Sequence, residues 1–521
     1  MSMVINTNTA SLVAQAAQAA TNKAMDQAME RLSTGKRINT AADDAAGLAI
    51  ATRMESQVRG VAMAMKNAGD AQALIDTAEG AQDEISNILQ RMRELSVQAA
   101  NDTNVGSDRV NLQTEMTQLI AEIDRISSQT TWNDMSVLDG TFSSKAFQIG
   151  AEANQSISLN IDSVASSSIG NYQAHSTVQL SNTTGGGILA DTYTLVGPEG
   201  STTITTSAGD SAKEFAADVN AVTGTTGIEA TAVTKLKLSA LTAADTVALT
   251  INGTSTSSVA VTSTTDLRGL MDAINAKSGT TGVTATLSGG SNGALELVDA
   301  DGDDISVALV AATTTTELTL SALDRNGTQA SSTAGTSDLV VQLIATGATA
   351  AAGDTAAGGA AIVTGQVSLS SYDEFNVQVD NDAADYDESA AGVIVADGEF
   401  FGDGDGNATS TSNGSLTTVS TIDLSTRAGA VSALGVIDGA LDKINNQRAD
   451  LGAISNRLDY TMSNLTNIKV NVEASKSRIQ DADFAAETSN LTKAQILSQA
   501  ATAMLAQANA SKQSVLSLLQ G

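Results

Sequence analysis

The segment IDGALDKINNQRADLGAISNRLDYTMSNLTNIKVNVEASKSRI, residues 437–479, places an apolar residue at every seventh position: Ile437, Ile444, Leu451, Leu458, Leu465, Val472 and Ile479. No proline interrupts it and glycine is sparse. A seven-residue repeat held this long predicts one helix that buries a narrow stripe against other helices. At the companion positions Leu441 and Met462 are apolar, while Arg448 and Ser455 are not. The stripe is therefore single, and its partners must come from elsewhere in the chain.

They lie at the other end. Ala71, Leu74, Ala78, Ala81, Ile85, Ile88, Met92, Leu95 and Ala99 step by three and four, and Leu112, Met116, Leu119, Ile123 and Ile126 repeat the pattern after the turn-rich stretch from Asn101 to Ser107. So short a connection predicts antiparallel neighbours. The expected bundle seam comprises Ile85, Ile88, Met92, Leu112 and Leu119 against Ile444, Leu451, Leu458 and Leu465. Two further helices are Ala-rich. One carries Leu12, Ala16, Ala19, Met25, Met29 and Leu32, with Gly35 as its cap. The other follows Asp481-Ala482-Asp483-Phe484 and carries Ala494, Leu497, Ala501, Met504, Ala508, Ser511, Val515 and Leu518. Thr40 to Asp44 supply the cap of the next helix. With so little apolar area, the terminal helices are expected to be marginal until neighbours cover them.

Between the helical ends the period changes. Ala146–Ile149 and Ser156–Ile161 alternate as a β-hairpin. From about 171 to 424, Thr, Ser, Gly and Ala dominate, with short Val/Ile/Leu alternations and glycine turns. Val219-Asn220-Ala221 followed by Gly224–Thr231 recurs as Ile274-Asn275-Ala276 followed by Gly279–Thr286, an offset of about 55 residues that marks a duplicated module. The fold class expected is α+β multidomain: a long antiparallel helical bundle or coiled coil made from both termini, with β-rich outer domains inserted in the middle.

Composition narrows the function. The formal net charge is −31, which argues against nucleic acid or an anionic membrane as partner. Cysteine is absent, so disulfides and thiolate metal sites are excluded, and a single histidine, His175, leaves little for zinc or triad chemistry. His175, among Gln, Ser and Thr, reads as a solvated side chain, and Trp132 as a packing anchor at a domain corner. The N-terminus has neither a basic region nor an apolar core of the secretory type, and no apolar run is long enough to span a bilayer. Asp299-Ala-Asp301-Gly-Asp303-Asp304 and Asp403-Gly-Asp405-Gly-Asn407 resemble the start of a calcium loop. Both lack its central glycine, and Val310 and Gly414 stand where a bidentate Glu is needed, so they read as acidic turns, as does the group Asp380, Asp382, Asp385 and Asp387. No catalytic, metal or cofactor site is expected.

Two segments carry a family resemblance. RLSTGKRINTAADDAAGLAIATRM, residues 31–54, and QRMRELSVQAAN, residues 90–101, resemble the N-terminal signature of bacterial flagellins. SRIQDADFAAE, residues 477–487, with AQIL at 494–497, LAQAN at 505–509 and VLSLL at 515–519, is similar to their C-terminal signature. The match covers about 1–165 and 430–521, and the repeated unit itself resembles a small module inserted in flagellins and hook-associated proteins. The resemblance implies a secreted, extracellular structural subunit that polymerises into the flagellar filament, the propeller of swimming. A hook–filament junction protein, which has similar ends, is the alternative. It implies terminal helices at 1–43 and 481–521 in the inner filament core, where Leu12, Leu32, Leu497, Met504, Val515 and Leu518 would pack. A surrounding shell would come from 44–170 and 425–480, and variable outer domains from 171–424, with modules at about 190–240 and 245–310. The implied partners are identical subunits, an export chaperone on the C-terminal helix, cap and hook-associated proteins, and the flagellin-sensing Toll-like receptor of the host. Export is implied to run through the type III apparatus without a cleaved signal. The receptor epitope and subunit contact carry over to Arg91, Leu95 and Glu115. The heptad puts Leu95 on the buried stripe, whereas the epitope needs it reachable, and on this point the resemblance is followed.

Overall fold

The computed structural model describes residues 7–181, 188, 190–288, 293–312, 316–330, 340–344, 361–379, 393–395, 400–401 and 410–520. The chain forms two compact units: Met1–Glu79 with Phe142–Asn160 and Asp450–Gly521, and Gly80–Thr141 with Ile161–Ala449.

The long helices are α1 (Thr9–Thr34), α2 (Ala45–Ala100) and α3 (Gly106–Gln129). After α3 come the two-residue ladder of β1 (Thr131–Trp132) and β2 (Met135–Ser136), with Trp132 half-buried, and the hairpin of β3 (Lys145–Gln148) and β4 (Ser156–Leu159). In the first unit the early part of α2 runs antiparallel to the late part of the long C-terminal helix Arg427–Gln480. Glu55 lies opposite Lys476, Met65 opposite Thr466 and Gln72 opposite Asp459. Val61, Ala64 and Leu465 close the seam there. Leu451 and Leu458 are buried as the heptad predicts, whereas Val472 and Ile479 are half-covered.

In the second unit the late part of α2, α3 and the early part of Arg427–Gln480 bury Ile85, Leu89, Met92, Leu95, Met116, Ile123, Ile437 and Ile444. Arg93 to Asp438 at 2.7 Å and Arg448 to Asp83 at 3.2 Å flank this seam. Three expected seam residues stand off its centre. Ile88 is half-buried because Leu89, one position on, points inward instead. Leu112 and Leu119 are half-buried, while Met116 and Ile123, the other heptad line of α3, are sealed. A helix shows two such lines, and only one meets the partner squarely.

The β-rich middle follows from β5 (Gly170–His175) and β6 (Gln179–Ser181). Next come β7 (Thr192–Gly197), β8 (Gly200–Thr205), α4 (Ala212–Ala221), α5 (Thr223–Thr226) and β9 (Glu229–Ser239). The same series returns as β10 (Thr246–Ile251), β11 (Thr254–Ser255), β12 (Val259–Ala260), α6 (Arg268–Asn275), α7 (Ser278–Thr281) and β13 (Val283–Leu287). It is completed by β14 (Ala294–Asp299) and β15 (Ile305–Ala311). Beyond lie β16 (Glu317–Leu323), β17 (Val340–Ile344), β18 (Ala361–Thr364), β19 (Gln366–Ser371), β20 (Asn376–Val379), β21 (Val393–Val395), β22 (Ser410–Asn413) and β23 (Ser415–Thr418). The chain then enters α8 (Arg427–Gln480) and α9 (Phe484–Gln520).

Strand order shows that the second copy is nested inside the first. In the second copy the order β11-β10-β15-β18 sets Leu249 opposite Leu309, and β13 pairs β14 with Ala285 opposite Leu297. In the first copy the order is β8-β7-β20-β22, with Leu195 opposite Val377, and β9 pairs β19 with Ala230 opposite Leu369. So β19 and β20 complete the first module, and residues between β9 and β19 form the second. The long strand β9 serves both: Glu229–Val233 pair with β19, and Thr234–Ser239 pair with β14. Each module has its own core. The nested one is built on Leu and Val, and the outer one on Tyr193, Phe215, Phe400 and Phe401, with Phe215 5.0–5.3 Å from the other three rings.

The repeated asparagine is explained by the same clamp in both modules. Asn220 Nδ2 donates to Ala230 O at 2.9 Å and Ala230 N donates back to Asn220 Oδ1 at 2.9 Å; Asn275 and Ala285 do the same at 2.9 and 2.8 Å. The side chain thereby supplies the backbone pairing that the strand after each helix lacks on that side. Asn275→Ala leaves a donor and an acceptor unmet, so it should cost roughly 1–3 kcal/mol. Thermal denaturation should show a lowered transition for the β-rich region while the helical signal is unchanged.

Candidate functional site

The two chain ends pair with each other within the first unit. Asn8 caps α1 by accepting from Ser11 N at 3.1 Å, and its Nδ2 donates to Ala508 O at 3.3 Å. Asn22 lies opposite Ser498 at 3.4 Å, and Arg31 opposite Glu487 at 3.3 Å. The helices α1 and α9 are therefore an antiparallel pair. Gly35 ends α1 with φ of 69°, a left-handed turn that glycine adopts without strain. The chain reverses there against the α8–α9 junction: Arg37 N donates to Gln480 O at 2.6 Å and Ala482 N to Gly35 O at 3.0 Å.

The signature stretch after Gly35 is a hydrogen-bonded knot. The Asp43 carboxylate accepts from Thr40 N, from Gln27 Nε2 and from Asn39 N, which together lower its pKa to about 2. Asp44 accepts from Gly47 N at 2.8 Å and so caps α2. Arg31 stands between Glu487 and Asp43, at 3.3 and 3.9 Å. The role of Arg31 and Glu487 as a cross-brace was not predicted. Both lie in the quoted signatures, but their pairing joins residues 456 positions apart, a distance no local spacing reports.

Along this pair the apolar side chains are uncovered. Among the described side chains of α1 and α9 the buried ones are Ser11, Ala28, Glu487 and Ala494. Leu12 is 56 % exposed, Leu497 47 % and Met504 64 %, with Val13, Met29 and Ile496 also exposed. Leu32 is half-buried, and the side chains of Val515 and Leu518 lie outside the described residues. Two helices whose larger apolar groups face outward carry an incomplete packing surface, the mark of a subunit rather than of a finished monomer.

In the second unit Arg91 and Glu115 meet. Arg91 Nε and Nη2 donate to Glu115 Oε1 at 3.0 and 2.8 Å, Arg91 Nη1 donates to Glu94 at 2.8 Å, and all three side chains are exposed. These carboxylates raise the Arg91 pKa above its ordinary value. Leu95 departs from the epitope expectation. It is 1 % exposed, sealed by the heptad contacts of α2, and is not presented beside Arg91.

Elsewhere, His175 ends β5 as an exposed residue paired across the ladder with Ser368. The first acidic turn is closed by lysine, with Lys213 Nζ 2.8 Å from Asp303 and 3.7 Å from Asp301. The Asp403 and Asp380 groups lie outside the described residues. Among the described residues no group of three or more His, Asp or Glu could hold a metal ion, and no helix is long and apolar enough to cross a membrane.

The class defined by these features is an assembly subunit whose paired ends form an open coiled-coil surface. Residues 5–143 match the bacterial flagellin N-terminal helical region, 434–519 the bacterial flagellin C-terminal helical region, and 248–301 the flagellin hook IN motif. The chain is 37 % identical to the B-type flagellin of Pseudomonas aeruginosa, 33 % to the flagellin of Salmonella choleraesuis and 32 % to flagellin A of Vibrio cholerae. Each comparison covers 100 % of both chains. The chain belongs to the bacterial flagellin family, and it is a subunit of the flagellar filament, the motility organelle.

Because Arg31 braces α1 to α9 with a largely buried carboxylate, Arg31→Ala should loosen the pair by on the order of 1–2 kcal/mol. Hydrogen exchange should rise in 10–34 and 484–500 and stay unchanged in the β-rich middle.

Proposed function

We infer that the α1–α9 pair is the polymerisation surface: 1–43 and 481–521 form the inner filament core, 44–170 and 425–480 the shell around it, and 171–424 the outward-facing domains. The observation that carries this reading is the exposure of Leu12, Leu497 and Met504 on helices whose described side chains are mostly uncovered. Covering the exposed half or so of each such side chain stabilises by about 1 kcal/mol, and a filament supplies that cover many times over. The same surface suits an export chaperone on α9 before assembly, and cap and hook-associated proteins at the filament ends. The role is structural rather than enzymatic, and the subunit reaches the outside of the cell through the flagellar type III apparatus. Nucleic acid and membrane are not partners of so acidic a chain.

Deleting 501–521 should leave the β-rich transition unchanged and abolish polymerisation on seeded filaments. Normal filaments from that truncation would remove the core assignment.

Recognition by the host flagellin-sensing Toll-like receptor belongs to the free subunit, through Arg91 and Glu115. Arg91→Ala should weaken receptor signalling by monomer about tenfold or more, the scale of one interface anchor. Leu95→Ala should instead destabilise the bundle by about 2–5 kcal/mol. A dose–response assay alongside thermal denaturation separates the two, and unchanged signalling by Arg91→Ala would end the epitope reading.

A further inference from the structure

The acidic loop 299–304 of the nested module is seated on α4 of the outer module. Lys213 N donates to Gly302 O at 3.1 Å, and Lys213 Nζ bonds Asp303. Gly302 has φ of 85°, and a Cβ there would come within 2.4 Å of the Ala232 Cβ on the shared strand β9, so the loop rests directly on that strand. Behind the lysine contact lie two carboxyls that it does not neutralise. Asp299 is 2 % exposed; one of its oxygens accepts from Asp301 N at 3.0 Å, while Oδ2 is sealed from solvent with no hydrogen-bond partner. Asp304 is half-buried; its Oδ1 is sealed and unpartnered, while the carboxyl also accepts from the Thr364 hydroxyl. The charged and polar groups acting on Asp304 are Glu214 on α4, Asp303 beside it in the loop, and Thr364 at the end of β18, while Lys213 on α4 pairs with Asp303. Glu214 is engaged with Ser211 as the cap of α4, and Lys213 with Asp303, so two of the nearest formal charges are negative.

We propose that this joint is a proton-controlled latch: with the Asp304 carboxyl neutral, the loop seats on α4, and loss of that proton favours its release from α4. With Oδ1 sealed and unpartnered and the Thr364 hydroxyl as the side-chain donor to the carboxyl, the ionised form of Asp304 is disfavoured more than the neutral acid. The electrostatics agree. Burial pushes Asp304 up to about 7, opposed by the Thr364 hydroxyl and reinforced by Glu214 and Asp303, and burial also raises Asp299. In the opened loop the carboxyl returns to about 3.9. The closed state therefore holds a proton that the open state has lost. Closure is most favoured below about pH 4 and loses about tenfold per pH unit until the closed-state value is passed, after which it is level.

The test is hydrogen exchange on the full-length monomer, read at the Lys213 amide that donates to Gly302 O and corrected for intrinsic rates. Protection should fall about tenfold per unit from pH 5 to 7 and level off above about 7.5. Asp304→Asn should remove the dependence. Glu214→Gln, which keeps the α4 cap, should move the levelling point to lower pH. A wild-type profile flat between pH 5 and 7 overturns the latch whether or not the Asn variant folds, and so does an Asn variant that keeps the wild-type slope.

Discussion

Everything in this chain depends on helices that cannot cover themselves. An α-helix with one apolar stripe needs a second stripe, and for α1 and α2 that stripe comes from the opposite end of the sequence. Glu55 faces Lys476 and Gln72 faces Asp459 in one unit; Asp83 faces Arg448 and Arg93 faces Asp438 in the other. Charges flank apolar lines that are otherwise permissive, so they set the register that burial alone would leave free to slide. The Gly35 reversal and the Arg31–Glu487 brace then carry the same logic to the last pair, α1 and α9.

That logic determined what was legible. Heptads report their own burial, so Ile437, Ile444, Leu451 and Leu458 could be read as core from spacing alone, and they are. Spacing does not report which of two adjacent lines faces the partner, which is why Leu89 displaces Ile88 and why Met116 and Ile123 outrank Leu112 and Leu119. Leu95 is the instructive case. Its position in the repeat says buried, the family epitope says reachable, and the packing sides with the repeat. The surface of α1 and α9 was legible for the opposite reason: alanine at so many stripe positions leaves too little area to bury, and the exposed Leu12, Leu497 and Met504 are the result. Arg31 with Glu487 was invisible, since a long-range ion pair leaves no periodic trace.

The middle of the chain was legible as a repeat but not as a nest. The offset between Asn220 and Asn275 identifies equivalent clamps, yet the strands that finish the first module, β19 and β20, return only after the second is complete. Strand pairing at such separations is specified by side-chain fit and register rather than by local pattern. The shared strand β9 is the physical record of the arrangement. It is long because it must pair with β19 through its first half and with β14 through its second.

The two regions thus solve stability differently. Each β module encloses its own core, with Phe215 among three other rings in one and Leu249 and Leu309 in the other, and clamps its own strand edges. The helical ends keep apolar groups outside, so their stability rises when identical ends surround them, and it rises by mass action with the number of subunits in place. A chain built this way folds its β modules around cores of their own. Its ends, on the proposed assembly, gain from identical neighbours the cover they lack in the single subunit.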